Sequence, residues 1–123
     1  MKLGTARIFV RDLDAARSFY RDKLGLSLRA YSAESGYCVF ESGAAQLVVE
    51  AVPNEAPADE QVLVGRFTGL SFAVENIAAV YQRLTSLDVP FTGAPETQTW
   101  GGVLATFQDP AGNELQLVQA NAG

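Results

Sequence analysis

No histidine occurs anywhere in the 123 residues, and that absence removes more chemistry than any other feature of the sequence. Serine–histidine and cysteine–histidine nucleophile systems are excluded, and so is any metal site built on imidazole. Cysteine occurs once, as Cys38 between Tyr37 and Val39, so no internal disulfide exists and the residue reads as buried packing. Basic residues are few and scattered, 9 against 14 acidic ones, leaving a net charge of −5 and no cationic footprint for nucleic acid or an anionic membrane. No apolar run approaches the roughly 18 residues that span a bilayer, and Met1-Lys2-Leu3-Gly4 opens no apolar signal core. A soluble, cytoplasmic protein without nucleic-acid or membrane partners is expected. What is abundant is apolar residue, 48% of the chain, enough for one compact core.

The order of patterns repeats. Ala6, Ile8 and Val10 alternate with Thr5, Arg7 and Phe9, the period of a strand, and Asp12 caps a helix expected from Leu13 to Leu24, with Gly25 stopping it. Three strands are expected over Leu26 to Tyr31, Gly36 to Phe40 and Gln46 to Val52. The polar, proline-bearing stretch from Pro53 to Gly65 reads as a linker without regular structure. A second half begins after it with a strand from Phe67 to Val74, Asn76 caps a second helix through Ile77, Val80, Tyr81, Leu84 and Leu87, and Asp88 marks its end. Strands are then expected over Val89 to Thr92, Gly102 to Gln108 and Glu114 to Gln119, the last two joined by the turn Asp109-Pro110-Ala111-Gly112-Asn113. Sliding the chain by the 64 residues between Val10 and Val74 lays Asn76 on Asp12, Ile77 on Leu13 and Leu84 on Tyr20. The two halves read as a duplicated βαβββ module.

Phe9-Val10-Arg11-Asp12-Leu13 with Ser18-Phe19-Tyr20-Arg21-Asp22-Lys23-Leu24-Gly25-Leu26, and Phe107-Gln108-Asp109-Pro110-Ala111-Gly112-Asn113 near the other end, resemble the vicinal-oxygen-chelate proteins. That group includes glyoxalase I, the bleomycin-resistance proteins and the extradiol dioxygenases, and the resemblance covers essentially the whole chain. It implies an α+β fold of two tandem βαβββ modules, a curved mixed sheet around a cleft, in one domain over residues 1–123. Module one is expected over residues 1–53, the linker over 54–65 and module two over 66–120. It also implies closure by a second copy, hence a homodimer.

The resemblance further implies four metal-ligand positions, on the first and last strand of each module, which fall on Thr5, Glu50, Gly69 and Gln116. Only Glu50 is a strong ligand, and Gly69 offers no side chain. One carboxylate, one amide oxygen and one hydroxyl carry too little charge to hold a transition metal against water, so no metal and no other cofactor is expected.

Strand alternation puts Thr5, Arg7 and Phe9 on one face with Gln46, Val48 and Glu50, and Gly69, Ser71 and Ala73 on one face with Glu114, Gln116 and Val118. Charged and amide groups are costly in a dry core, so these faces are expected to meet solvent or a ligand. Arg7 either clamps a ligand carboxylate or phosphate or pairs with Glu50 or Glu114. Glu50 and Glu114 are the candidates for a catalytic base. Tyr31, Tyr37, Phe91 and Trp100 are candidate aromatic walls, and Trp100 either stacks on a planar ligand or covers the core or a dimer contact. The expected ligand-binding set is Arg7, Phe9, Gln46, Glu50, Trp100 and Gln116. The expected function, with the bleomycin-resistance branch as its pattern, is binding and sequestration of a small molecule. The alternative is a lyase or dioxygenase-type enzyme with a degenerate metal site or a carboxylate base.

Overall fold

The computed structural model describes residues 1–120, which fall into two compact units. The first comprises residues 1–66 with 110–113, and the second residues 67–109 with 114–120. Each holds a four-stranded mixed sheet. The architecture is α+β, two tandem βαβββ modules.

In the first unit β1 (Thr5–Val10) leads into α1 (Leu13–Ser18), followed by β2 (Ser27–Ser32), β3 (Tyr37–Ser42) and β4 (Ala45–Ala51). The strand order is β1-β4-β3-β2, with β1 parallel to β4 and β3 antiparallel to both its neighbours. Alternation assigns the faces: Ile8, Val10, Leu47 and Val49 are buried, and the residues between them are half-buried or exposed. Asp12 caps α1 by accepting a hydrogen bond from the Ala15 amide at 3.0 Å. The helix expected to continue to Leu24 changes character at Phe19–Lys23, a π-helical turn in which the Leu24 amide donates to the Phe19 carbonyl at 3.1 Å. Phe19 and the adjacent Tyr20 are both buried there, their rings edge to face at 5.0 Å, and Tyr20 meets Phe40 at 5.9 Å.

The second unit repeats the order with β5 (Phe67–Ala73), α3 (Ile77–Ser86), β6 (Glu96–Thr97), β7 (Val103–Gln108) and β8 (Glu114–Gln119), in sheet order β5-β8-β7-β6. Asn76 caps α3 by accepting from the Ala79 amide at 3.1 Å. Past the helix, Asp88 takes a left-handed φ of 64°, and the Val89 amide donates back to the Leu84 carbonyl at 3.0 Å. Phe107 is the centre of the packing, with Phe91 at 5.7 Å and Phe72 at 6.4 Å.

Two expectations are corrected. Val89 to Thr92 is not a strand: only a single Phe91–Phe107 bridge forms, and the edge strand is the two-residue β6. Pro90 explains this, since it has no N–H to give a ladder and contributes only its carbonyl, which accepts from the Gln108 amide at 3.0 Å. The segment between the modules, expected to lack regular structure, contains α2 (Ala58–Gln61) and a parallel bridge from Val64 to Phe9. Asp59 and Glu60 in its first turn suit a helix N-terminus. Gln61 then ties the segment down, its Nε2 donating to the carbonyls of Pro53, Asn54 and Ala56 at 2.8, 3.1 and 3.1 Å while its Oε1 accepts from Arg11.

The turn at 110–113 belongs to the first unit, and Asn113 is why. This buried amide accepts from the Gly65 and Arg66 amides at 2.8 and 3.2 Å and donates to the Phe9 carbonyl at 2.8 Å. Truncation strands several backbone groups away from water. Asn113→Ala is expected to lower the free energy of unfolding by about 2–4 kcal/mol, and Asn113→Asp, which keeps an acceptor and loses the donor, by less; denaturant titration of both variants measures the order.

Candidate functional site

Within the first unit, the open face of β1 and β4 and the segment after β4 enclose a hollow of about 220 Å³. The parallel register sets Phe9 beside Glu50, with Arg7 one face-step earlier on β1. Arg7 reaches Glu50 with the two-pronged geometry of a guanidinium–carboxylate pair: Nη2 donates to Oε2 at 2.7 Å and Nε to Oε1 at 3.2 Å. The guanidinium carbon also lies 5.2 Å from the centre of the Phe9 ring. Hydrogen bonds and charge from Glu50 raise the pKa of Arg7 above its usual value, so the residue stays charged. Pro53, Glu60 and Leu63 supply the remaining wall. Sequence reading passed over Glu60 and Leu63, because the stretch that carries them reads as polar linker. The only available signal was the apolar pair Leu63-Val64 at its end.

A second hollow, of about 290 Å³, lies within the second unit between the Thr92–Gln98 segment and β7 and β8. Gln116 lines it and donates from Nε2 to the Thr106 hydroxyl at 3.2 Å. Gln98 lines it too, on a tight turn in which its amide donates to the Gly102 carbonyl at 2.7 Å.

The remaining sequence candidates are distributed as follows. Gln46 is exposed on β4, 3.5 Å from the Glu41 carboxylate, and does not line the Arg7 hollow. Glu114 receives a long contact from Gln108 Nε2 at 3.5 Å. Trp100 is 56% exposed on the turn before β7, which rules out a core role. Tyr31 donates to Asp14 at 3.1 Å with Arg17 stacked on its ring at 4.1 Å, and Phe91 packs edge to face on Tyr81 at 4.8 Å.

The four positions implied as metal ligands do not suit a divalent ion. Thr5 is exposed at the start of β1, Gly69 brings no side chain and has a left-handed φ of 74°, Gln116 is engaged with Thr106, and both oxygens of Glu50 receive guanidinium hydrogens. Among the described residues no three His, Cys, Asp or Glu side chains come together. The donor chemistry is insufficient, and no reaction step is derived through a metal.

With this geometry in place, comparison with known proteins is decisive for the family: the model of the Glyoxalase/Bleomycin resistance protein/Dioxygenase superfamily matches residues 2–117. The chain belongs to that superfamily. Within it, the chain is 33% identical to YurT of Bacillus subtilis (strain 168), covering 97% of this chain and 99% of that one. It is 27% identical to the bleomycin resistance protein of Klebsiella pneumoniae, covering 94% and 90%. Among solved structures, TnmS3, an antibiotic binding protein from Streptomyces sp. CB03234, superposes with a TM-score of 0.78 at 25% identity, covering 98% of this chain and 97% of that one. Among the described residues no helix is long and apolar enough to cross a membrane.

Cys38 completes the inventory of reactive groups. It is fully buried, and burial pushes its pKa up from 9.0 to about 11, against a smaller opposing pull from Arg17. The folded state therefore holds the proton that the unfolded chain releases at lower pH. Stability from this group is fully present below about pH 9 and is lost as pH rises towards about 11. Urea titrations across that window are expected to show a steeper alkaline loss for the wild type than for Cys38→Ala, and Cys38 is expected to resist thiol reagents near neutral pH while the chain is folded.

Proposed function

We propose that this superfamily member is a small-molecule binder that sequesters its ligand without converting it. The observation that carries this reading is the Arg7–Glu50 pair, preformed, stacked on Phe9 and set at the edge of a hollow whose further walls are Ala51, Val52, Pro53 and Leu63 with the carboxylate of Glu60. Such a pair offers a ligand oriented hydrogen-bonding edges and an aromatic surface, and it offers a reaction very little, since both carboxylate oxygens are occupied. The hollow lies below the ~300 Å³ at which whole drug-sized ligand pockets begin, so it suits one group of a larger molecule. The names carried by two relatives, a bleomycin resistance protein and an antibiotic binding protein, support the same reading. Trp100 and Gln116 belong to the second unit and do not line this hollow.

Two further elements belong to this proposal. The first is a homodimer, because the sheet orders leave β1 and β2 at the edges of one sheet and β5 and β6 at the edges of the other, and edges invite a second copy. The second is a cytoplasmic location, in keeping with the lone buried thiol.

Calorimetric titration with a panel of planar amphipathic compounds, bleomycin among them, is expected to show saturable binding and recovery of the compound unchanged. Arg7→Ala and Phe9→Ala are each expected to weaken binding by about tenfold or more, about 1.4 kcal/mol per tenfold step. Catalysed conversion of a bound compound, or affinity indifferent to both substitutions, contradicts the proposal.

A further inference from the structure

The hollow of the second unit has a chemistry of its own. Its polar side chains are Thr92, Gln98, Thr106 and Gln116, which are neutral, with Glu96 as the single ionisable one. Primary amides and hydroxyls both donate and accept. A charged ligand group here meets no guanidinium or ammonium and only one carboxylate, whereas a group that both donates and accepts is matched at every position. The volume of about 290 Å³ is at the lower end for a ligand pocket, room for one ring rather than an extended molecule.

Trp100 stands on the turn that carries Gln98 into this hollow. That turn is fixed by Gln98 donating to Gly102 at 2.7 Å and Gly101 donating to Gln98 at 2.9 Å. The indole lies flat against Gly102, where a Cβ would fall 1.7 Å from a ring carbon. Only glycine permits that approach, and 56% of the tryptophan stays exposed. An indole seated against the backbone and open to solvent offers a ligand a large aromatic surface to stack on.

We propose that the second unit carries a binding site for a neutral, hydroxyl-rich ring, a sugar or cyclic polyol, hydrogen-bonded by Gln116, Thr106 and Gln98, with the exposed indole of Trp100, on the same turn as Gln98, as its stacking face. Each ring hydroxyl is donor and acceptor at once, as the amides and hydroxyls of the hollow require, and the ring's C–H face supplies the apolar surface that an indole stacks on. Glu96 accepts hydroxyl hydrogens. The site is independent of the Arg7 hollow and stands or falls without it.

Saturation-transfer NMR on the intact chain tests it, with methyl glucoside, methyl galactoside, methyl mannoside, N-acetylglucosamine and myo-inositol against the charged counterparts glucosamine and glucuronate. At least one neutral ring is expected to bind with millimolar affinity and to shift the tryptophan fluorescence. Gln116→Leu is expected to weaken that binding about tenfold with the melting temperature unchanged, and Gly102→Ala, which displaces the indole, to weaken it comparably. Three results overturn the proposal: no transfer to any neutral ring at tens of millimolar, glucosamine or glucuronate binding better than its neutral counterpart, or Gln116→Leu and Gly102→Ala both binding as the wild type does.

Discussion

The Asn113 side chain is the constraint on which the first unit depends. One amide group satisfies the Phe9 carbonyl at the end of β1 and the Gly65 and Arg66 amides at the end of the connecting segment. Asn113 is buried beside these backbone groups. The geometry of the Arg7 hollow follows, because Phe9 is both the residue held by Asn113 and one wall of that hollow, while Leu63 and Glu60 lie just upstream of Gly65. Gly65 contributes by having no side chain, its φ being 77° with the Ala111 carbonyl 3.2 Å from where a Cβ would stand. A turn far along the chain thus fixes residues contributed by its beginning and its middle.

Electrostatically the two hollows are unlike, although the modules that carry them are duplicates. In the first, a guanidinium and a carboxylate hold each other in a fixed orientation over an aromatic ring. The second replaces charge with amides and hydroxyls. The difference shows on the last strand of each module, where Glu50 lies opposite Phe9 on β4 and Gln116 lies opposite Ser71 on β8. With an amide at Gln116 and no histidine in the sequence, these side chains fall short of the donor set a transition metal requires.

Much of this was legible in the sequence. The period-two alternation separates Ile8, Val10, Leu47 and Val49, which are buried, from Arg7, Phe9 and Glu50, which share the open face. Asp12 and Asn76, at matching places in the repeat, both cap helices. The signals that failed were local patterns overridden by contacts at a distance. Nothing around Phe19 announces a π-helical turn, because it arises where two adjacent aromatics both enter the core. Pro90 interrupts an apolar run that otherwise reads as a strand. The segment after Pro53 looks like linker in composition, yet Gln61 gathers three of its carbonyls, and no composition rule foresees one glutamine doing so. Glu60 and Leu63 stayed out of sight with it, which is why only the strand-borne half of the first hollow was readable.

In the proposed function the Arg7–Glu50 pair recognises a ligand as a formed unit rather than serving only to hold two strands together. Arginine Nε–Hε resonances report this directly, since Arg7 Nε donates to Glu50 at 3.2 Å, and the Arg7 signal is assigned by its loss in Arg7→Lys. Adding a ligand that binds is expected to shift the Arg7 Nε–Hε signal together with backbone amides of residues 51–63, the two sides of the hollow. A ligand that binds with full occupancy while leaving both the Arg7 signal and those amides unmoved contradicts the account.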